Sequence, residues 1–316
     1  MKTIIIDTLL ILSFITAFAQ EKENKHYTYE VELGTDNDFL IAHKSTDKYY
    51  TYGINASFRW HPKSANFLNK LLPNKRGYFQ SLGINIEGYT PDYKSKNYET
   101  DRPYAGWSYV EFQSTYGFEK SFLRLGIDIG ILGPDSKAGV VQNWFHEHIS
   151  RDQVLDGWEN QIDNQLGINI RAYYAQILFE SKIFDVYASV DAAVGNIYTY
   201  VNPGINFRFG VFNPVSKSIA FKNTILANKS NKEVYVDAGV ATKISAFNAT
   251  IQGSKISEIN LINSKEINNF FFNSHIGVYY ALNRWAVGAK LMYSSGELKD
   301  NDSQQYTMIS GSYRFN

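Results

Sequence analysis

The sequence predicts an all-β protein: a membrane-spanning antiparallel β-barrel of about 12 strands with a helical extracellular loop. The first observation is a long series of segments in which apolar and polar residues alternate. The second is the composition, since 316 residues include 23 Tyr, 21 Phe and 22 Gly but no Cys. The third is that, beyond the first twenty residues, no window approaches the roughly 18 to 20 uninterrupted apolar residues of a spanning helix.

The alternating segments have the length of barrel strands. In residues 50–60 and 122–131 every second residue is apolar, and the intervening positions include Arg59, Arg124 and Asp128. About twelve such runs start near residues 27, 48, 79, 105, 122, 168, 184, 204, 234, 269, 284 and 305. Most reach the roughly 9 to 11 residues that cross a bilayer with tilt. A soluble sandwich would have shorter strands, and the charged faces suit a lumen better than a core.

Two further segments differ from the barrel pattern. Residues 1–19 have one lysine, an apolar run and a small-x-small ending at Ala17-Phe18-Ala19, which predicts a secretory signal peptide. Residues 20–316 are then the outer-membrane barrel. Within it, residues 133–167 lose the period of two and carry apolar residues at helical spacing. We expect an active-site loop with short helices there, because long ordered loops are usually functional.

Charge excludes one class of partner. The chain has 31 basic and 31 acidic residues and a formal net charge of zero. This balance indicates no nucleic-acid partner.

Three polar clusters could carry chemistry. They are Asp36-Asn37-Asp38 after the first strand, Tyr50-Thr51 at the start of the second, and Gln142, Asn143, His146, His148 and Asp152 in the helical loop. Asp and Asn at a rim are common turn formers, but their oxygens also suit a hard cation such as Ca²⁺. A loop histidine is either a solvated group or a general base. Strand alternation predicts that Thr51 and Asp38 face the lumen and that Asn37 has the opposite orientation.

Five motifs together resemble the outer-membrane lipid A 3-O-deacylases, twelve-stranded barrels that trim an acyl chain from lipopolysaccharide. The motifs are "DNDF" at 36–39, "TDKYYTYG" at 46–53, "DRPYAGW" at 101–107, "LGPDSKAGVVQNWFH" at 132–146 and "GWENQIDNQ" at 157–165. They are spread over most of the first half of the mature chain. The second half is similar only as barrel strands. Within these motifs we expect Gly106 to permit a close approach and Trp158 to act as a wedge or interface anchor.

The resemblance implies a set of site residues. His146, Asn37, Asp38 and Thr51 correspond to the catalytic positions, with His148 the next candidate for the base. The metal would be Ca²⁺, held by Asp38, Thr51 and Asp152, with Asp156 as an alternative to Asp152. Lys96 would bind the substrate, with Lys94 as its alternative.

The implied function is that of a calcium-dependent esterase in the bacterial outer membrane. It would remove an ester-linked acyl or acyloxyacyl chain from lipid A, with its active site facing the extracellular leaflet, as a monomer or weak dimer. Two alternatives stay open: a non-enzymatic barrel, such as a porin, an adhesion scaffold or a lipopolysaccharide-binding protein, and a phospholipase of similar mechanism.

Overall fold

The computed structural model describes residues 26–38, 48–64, 70–92, 101–151, 154–230, 232–254, 267–299 and 303–316. These residues form a closed barrel of twelve antiparallel strands. The strands are β1 (Tyr29–Asn37), β2 (Tyr49–Trp60), β3 (Gly77–Thr90), β4 (Ala105–Gly117), β5 (Ser121–Leu132), β6 (Gln165–Glu180), β7 (Phe184–Gly195), β8 (Tyr198–Val211), β9 (Lys232–Asn248), β10 (Phe270–Leu282), β11 (Trp285–Ser294) and β12 (Gln304–Phe315). The predicted fold class is confirmed. The predicted signal peptide lies outside the described residues.

The barrel closes where the last strand pairs with the first. Tyr29 of β1 lies opposite Phe315 of β12, and the pairing continues without interruption to Asn37. We call the end of the barrel at Tyr29 and Phe315 the terminal end, and the opposite end, at Asn37 and Gln304, the distal end. Because each strand is paired on both sides, the sheet has no free edge.

Alternation along the strands separates an apolar exterior from a charged interior. On β1, Val31 and Leu33 are exposed on the outside, while Glu30 and Glu32 are buried inside. Arg59 of β2 forms ion pairs with both glutamates, and its Nη2 lies 2.9 Å from Glu32 Oε2. The interior is therefore a polar lumen, as the alternating pattern predicts.

Strand β8 begins at Tyr198, six residues before the start that alternation indicates. Tyr198 and Tyr200 both line the central cavity, so aromatic residues occupy the inward positions where the pattern would require polar ones. Pro203 further obscures the strand. The pattern is weak there because tyrosine combines an apolar ring with a polar hydroxyl.

The connection between β8 and β9 folds back into the barrel as a plug, which we define as residues 212–230. It contains three short 3₁₀ turns, and its side chains Val215, Phe221 and Ile225 are buried. Phe221 packs between Phe122 and Tyr187, with ring centroids 5.3 and 5.1 Å away. The plug therefore fills part of the lumen with an apolar core.

Hydrogen bonds tie the plug to opposite walls of the barrel. Arg124 of β5 donates to the carbonyl of Phe221 over 2.6 Å, and the hydroxyl of Thr224 donates to Glu30 of β1 over 2.6 Å. Arg314 of β12 donates to the carbonyl of Thr224 over 2.8 Å. Because Glu30 and Arg314 lie beside the chain ends, the plug crosses the lumen near the terminal end.

Two α-helices lie wholly within the described residues, α1 (Ala138–Phe145) and α2 (Ala249–Gln252). Helix α1 belongs to the connection between β5 and β6 and continues into a π-helical turn, His146–Ser150. The helical connection that the sequence predicts is thus present. No helix in the described part of the chain is long and apolar enough to cross a bilayer.

Because the plug crosses the lumen, we expect that the barrel does not conduct ions. Purified wild-type protein in planar lipid bilayers should show no stable open channel, since the plug blocks the terminal end. Replacing residues 213–230 by a short Gly-Asn linker should create a steady conductance. A steady conductance of the intact protein would contradict this expectation.

Candidate active site on the outer wall

The ends of β1 and β2 bring three of the expected site residues together. The amide of Asp38 donates to the carbonyl of Thr51 over 3.3 Å, and the amide of Lys48 donates to Asp38 Oδ2 over 3.3 Å. Asp38 and Thr51 are almost fully buried. Asn37, the last residue of β1, is paired with Tyr52. The backbones of Asp38 and Thr51 therefore lie against each other at the rim, next to Asn37.

A β-bulge at the start of β2 changes which residues face the lumen. The pairing of β2 with β3 shifts register between Tyr50 and Tyr52. As a result Tyr50 points into the lumen, where its hydroxyl donates to Asp36 Oδ2 over 2.8 Å. An extra residue at a bulge is left out of the regular alternation, so the orientation of Thr51 no longer follows from counting.

Thr51 lies on the outer side of the wall. Its Oγ1 is 2.7 Å from Oγ1 of Thr90, the last residue of β3. The neighbour of Thr90, Tyr89, faces the lumen, where it bonds to Glu87 and Tyr198. Alternation therefore directs Thr90, and the Thr51 hydroxyl that contacts it, to the opposite side. The predicted lumen-facing orientation of Thr51 is wrong, and the bulge is the reason.

An outward row of residues crosses four strands at the level of this rim. Asn37 pairs with Tyr52, Tyr52 with Gly88, and Gly88 with Gly106. The ring of Tyr52 lies over Gly88, which has no side chain to obstruct it. The two glycines leave a shallow depression on the outside of the barrel.

Helix α1 lies in this depression. A Cβ atom at Gly106 would overlap Ser136 Oγ and would lie 2.6 Å from Ala138 Cβ. The hydroxyl of Tyr52 donates to the carbonyl of Ala138 over 2.6 Å, and the hydroxyl of Ser108 donates to the carbonyl of Ser136 over 2.7 Å. The close approach predicted for Gly106 is therefore observed, and it docks the helix against the outer wall.

His146 shares the buried face of this helix. Ala138, Gln142 and His146 follow at intervals of four residues, which places them on one side of an α-helix. All three are buried, and His146 is only 3% exposed. Trp158 wedges against the same helix and donates from Nε1 to Gln142 Oε1 over 2.9 Å. The imidazole is therefore held on the face that points to the wall and not to solvent.

The other residues of the predicted clusters lie outside the described residues or away from this site. Lys96, its alternative Lys94, and Asp152 lie outside the described residues. His148 is exposed and stacks on Trp144, with ring centroids 5.3 Å apart. Asp36, which shares the first motif with Asn37 and Asp38, faces the lumen.

Sequence reasoning missed Thr90 and Tyr52. Thr90 supplies the hydroxyl partner of Thr51, and Tyr52 fastens helix α1 to β2. A signal for Thr90 exists in the sequence, because a hydroxyl takes the place of the apolar residues Ile84 and Ile86 on the outward side of the same strand. Which residue it contacts depends on the register with β2.

The donor chemistry at the rim suits a hard cation. Asp38 supplies a carboxylate, Asn37 an amide oxygen, and Thr51 a hydroxyl, and calcium prefers oxygen ligands of these kinds. Among the described residues, no group of three or more His, Cys, Asp or Glu side chains could hold a metal. The oxygen atoms of these three residues are of the type that calcium prefers, but they are fewer than a calcium ion requires. A calcium ion at this rim would therefore need further ligands.

A closed barrel with an exposed apolar exterior and a charged, plugged interior defines a class: the β-barrel proteins of bacterial outer membranes. The family model "Outer membrane protein LpxR" matches residues 5–315. The chain belongs to the LpxR family of outer membrane proteins, and the predicted outer-membrane location is confirmed.

The chain is similar to several solved structures. LpxR from Salmonella typhimurium is 20% identical, with a TM-score of 0.73 over 90% of this chain and 100% of that chain. The beta domain of the Bordetella autotransporter BrkA is 9% identical, with a TM-score of 0.45 over 92% and 100%. The translocator domain of NalP from Neisseria meningitidis is 8% identical, with a TM-score of 0.42 over 97% and 93%. No curated protein matches the sequence at a significant level.

The substitution Gly106→Ala tests the docking of helix α1. The added methyl group would meet Ser136 and Ala138, and overpacking of this kind costs about 1 to 3 kcal/mol. We expect faster amide hydrogen exchange in residues 138–146, with the exchange of the barrel strands unchanged. Gly311→Ala is the matched control, because the nearest atoms to its new Cβ are 3.9 Å away. Equal exchange in the two variants would contradict the docking at Gly106.

Proposed function

We propose that this protein is a calcium-dependent esterase that removes an ester-linked acyl or acyloxyacyl chain from lipid A in the outer leaflet. Family membership and the five shared motifs support the proposal. The observation that carries it is the position of His146: a buried imidazole on the wall-facing side of a helix that covers the outside of the barrel. A group there lies on the lipid side of the barrel wall and not in the lumen.

The length of the helix from Ala138 to His146 is close to the width of the outward row from Gly106 to Asn37. Three strand spacings separate Gly106 from Asn37, which is about 14 Å. Eight helical residues separate Ala138 from His146, which is about 12 Å along the axis. Since Ala138 lies at Gly106, a helix that ran along the row would carry His146 toward β1, the strand that ends at Asn37. Neither a porin nor an adhesion scaffold requires this arrangement.

In the proposed reaction His146 acts as the general base. Its ring nitrogen takes a proton from a water molecule, whose oxygen forms a bond to the ester carbonyl carbon. When the tetrahedral intermediate collapses, the bond to the sugar oxygen breaks and His146 returns the proton to that oxygen. The products are a fatty acid and a free hydroxyl on lipid A. Asn37 orients the water through its amide.

The other residues position the ester and its charge. Ca²⁺ bound by Asp38, with Thr51 and Asp152 as further ligands, would stabilise the negative charge that develops on the carbonyl oxygen. Thr90 fixes the orientation of the Thr51 hydroxyl through their 2.7 Å contact. Lys96 binds a phosphate of lipid A as a point charge.

The plug argues against a porin, because hydrogen bonds to β1, β5 and β12 hold it across the lumen. A phospholipase would use the same base and the same metal. It differs only in its substrate, a glycerolipid with two acyl chains, so the products distinguish it from a lipid A esterase.

Mass spectrometry of lipid A from cells that express wild type, His146→Ala or His148→Ala tests this function. Loss of a general base lowers the rate by roughly 10² to 10⁴, so His146→Ala should leave lipid A uncleaved. His148→Ala is the matched control and should behave as wild type, since His148 is exposed. Chelation of calcium during the reaction should abolish cleavage by wild type.

Three outcomes of this experiment would count against the proposal. Unchanged lipid A with folded wild type would reject lipid A as the substrate. Cleavage of phospholipids in its place would favour the phospholipase. Activity that survives in His146→Ala and disappears in His148→Ala would move the base to His148.

Thr90→Val tests the role of the second hydroxyl. Valine has nearly the same shape but removes the partner that orients the buried Thr51 hydroxyl, and the loss lowers folding stability by about 1 to 3 kcal/mol. Without Thr90 the hydroxyl is no longer held in the orientation that the proposed reaction needs. We expect kcat to fall accordingly and Thr90→Ser to restore it. Equal kcat for the Val and Ser variants would exclude a role of the hydroxyl.

A further inference from the structure

The side of helix α1 that faces away from the barrel is apolar over its first two turns. Val140 and Trp144 are 65% and 54% exposed. Val140 is two residues from Ala138, or about 200° around an α-helix, and Ala138 touches the wall at Gly106. Trp144 is four residues after Val140 and lies on the same side. Two large apolar side chains therefore project from the outer surface of the protein.

The wall next to this helix is also apolar. Ser108, which bonds to Ser136 ahead of the helix, is paired with Ile131 of β5, and Ile131 with Leu166 of β6. Ile131 and Leu166 are 40% and 63% exposed on the outside. Through Ser108, the segment ahead of helix α1 therefore adjoins the apolar outer surface of β5 and β6.

Polar groups mark where this apolar surface ends. Beyond the distal ends of β5 and β6, Asn164 Oδ1 accepts from the amide of Asp135 over 2.8 Å, and Lys137 Nζ lies 3.2 Å from Asp135 Oδ1. At the other end of the helix, the outer side becomes polar at Glu147 and His148, which are both exposed. Trp144 stacks on His148 at this boundary, a position that tryptophan favours at membrane interfaces.

We propose that the outward face of helix α1, formed by Val140 and Trp144, is immersed in the acyl chains of the leaflet at the distal end. The occupant is membrane lipid, because this face continues the lipid-facing exterior of an outer-membrane barrel through Ile131 and Leu166. If this face met water instead, two apolar side chains would be exposed to water next to a wall that is itself lipid-facing. The inference rests on the membrane location and not on the proposed catalysis.

Spin labels test the proposal directly. The chain contains no Cys, so Val140→Cys and Trp144→Cys each create one labelling site on the full-length protein in phospholipid bilayers. Leu166→Cys is the lipid-facing control, and Lys137→Cys is the aqueous control. We expect labels at 140 and 144 to collide often with oxygen and rarely with a water-soluble nickel complex, as at 166. The label at 137 should show the reverse.

Two results would overturn the proposal. If labels at 140 and 144 collide with the nickel complex as often as the label at 137, this face is exposed to water. If they collide rarely with both oxygen and nickel, a protein surface covers it, such as a second copy of this chain. Heat-modifiable electrophoretic mobility of each labelled protein checks that the barrel is folded. Since none of these readouts involves lipid A, they are independent of the esterase test.

Discussion

The pairing of β1 with β12 is the constraint on which the rest of the structure depends. In a hydrocarbon environment every backbone amide and carbonyl needs a partner within the protein, and closure supplies one for both edge strands. Tyr29 opposite Phe315 and Asn37 opposite Thr307 mark the two ends of this seam. Closure also fixes the position of Asn37 and Asp38, because the last residues of β1 are held between β2 and β12.

A closed sheet has two faces with opposite requirements. The outer face meets lipid and is apolar, so polar side chains from all twelve described strands collect inside. Ion pairs such as Arg208 with Asp185, whose closest atoms are 2.6 Å apart, neutralise the charge there. The plug adds a small apolar core around Phe221. Its carbonyl groups accept one hydrogen bond each from Arg124 and Arg314. The plug therefore fills part of the lumen, and the outer wall is the place where a helix can meet a membrane lipid.

The outer wall accepts helix α1 only because it is locally depressed. Gly88 and Gly106 remove two side chains from an otherwise apolar surface, Tyr52 covers one of them, and Ala138 lies against the other. The helix thereby has two different faces within a short length. Its inner face carries Gln142 and His146 against the wall, and its outer face carries Val140 and Trp144. The docking of helix α1 thus holds Gln142 and His146 in place and presents Val140 and Trp144 to the bilayer.

Period-two alternation by itself determined most of the barrel. The number of strands, their order and the helical interval after β5 all follow from it, because each strand separates lipid from lumen. The shared motifs likewise pointed to Asn37, Asp38, Thr51 and His146. Alternation failed at β8, where inward tyrosines resemble outward ones, and at Thr51, where one bulged residue reverses the side that counting predicts.

Only the tertiary structure decided that the candidate site lies on the outside of the wall. That location depends on the register of β2, β3 and β4, which aligns Tyr52, Gly88 and Gly106, and on a helix that joins this row from elsewhere in the chain. Such contacts are not local in sequence. Thr51 and Thr90 are 39 residues apart, and Tyr52 and Ala138 are 86 residues apart. A pattern of period two records which residues share a face, whereas the pairing of distant strands decides which of those residues meet.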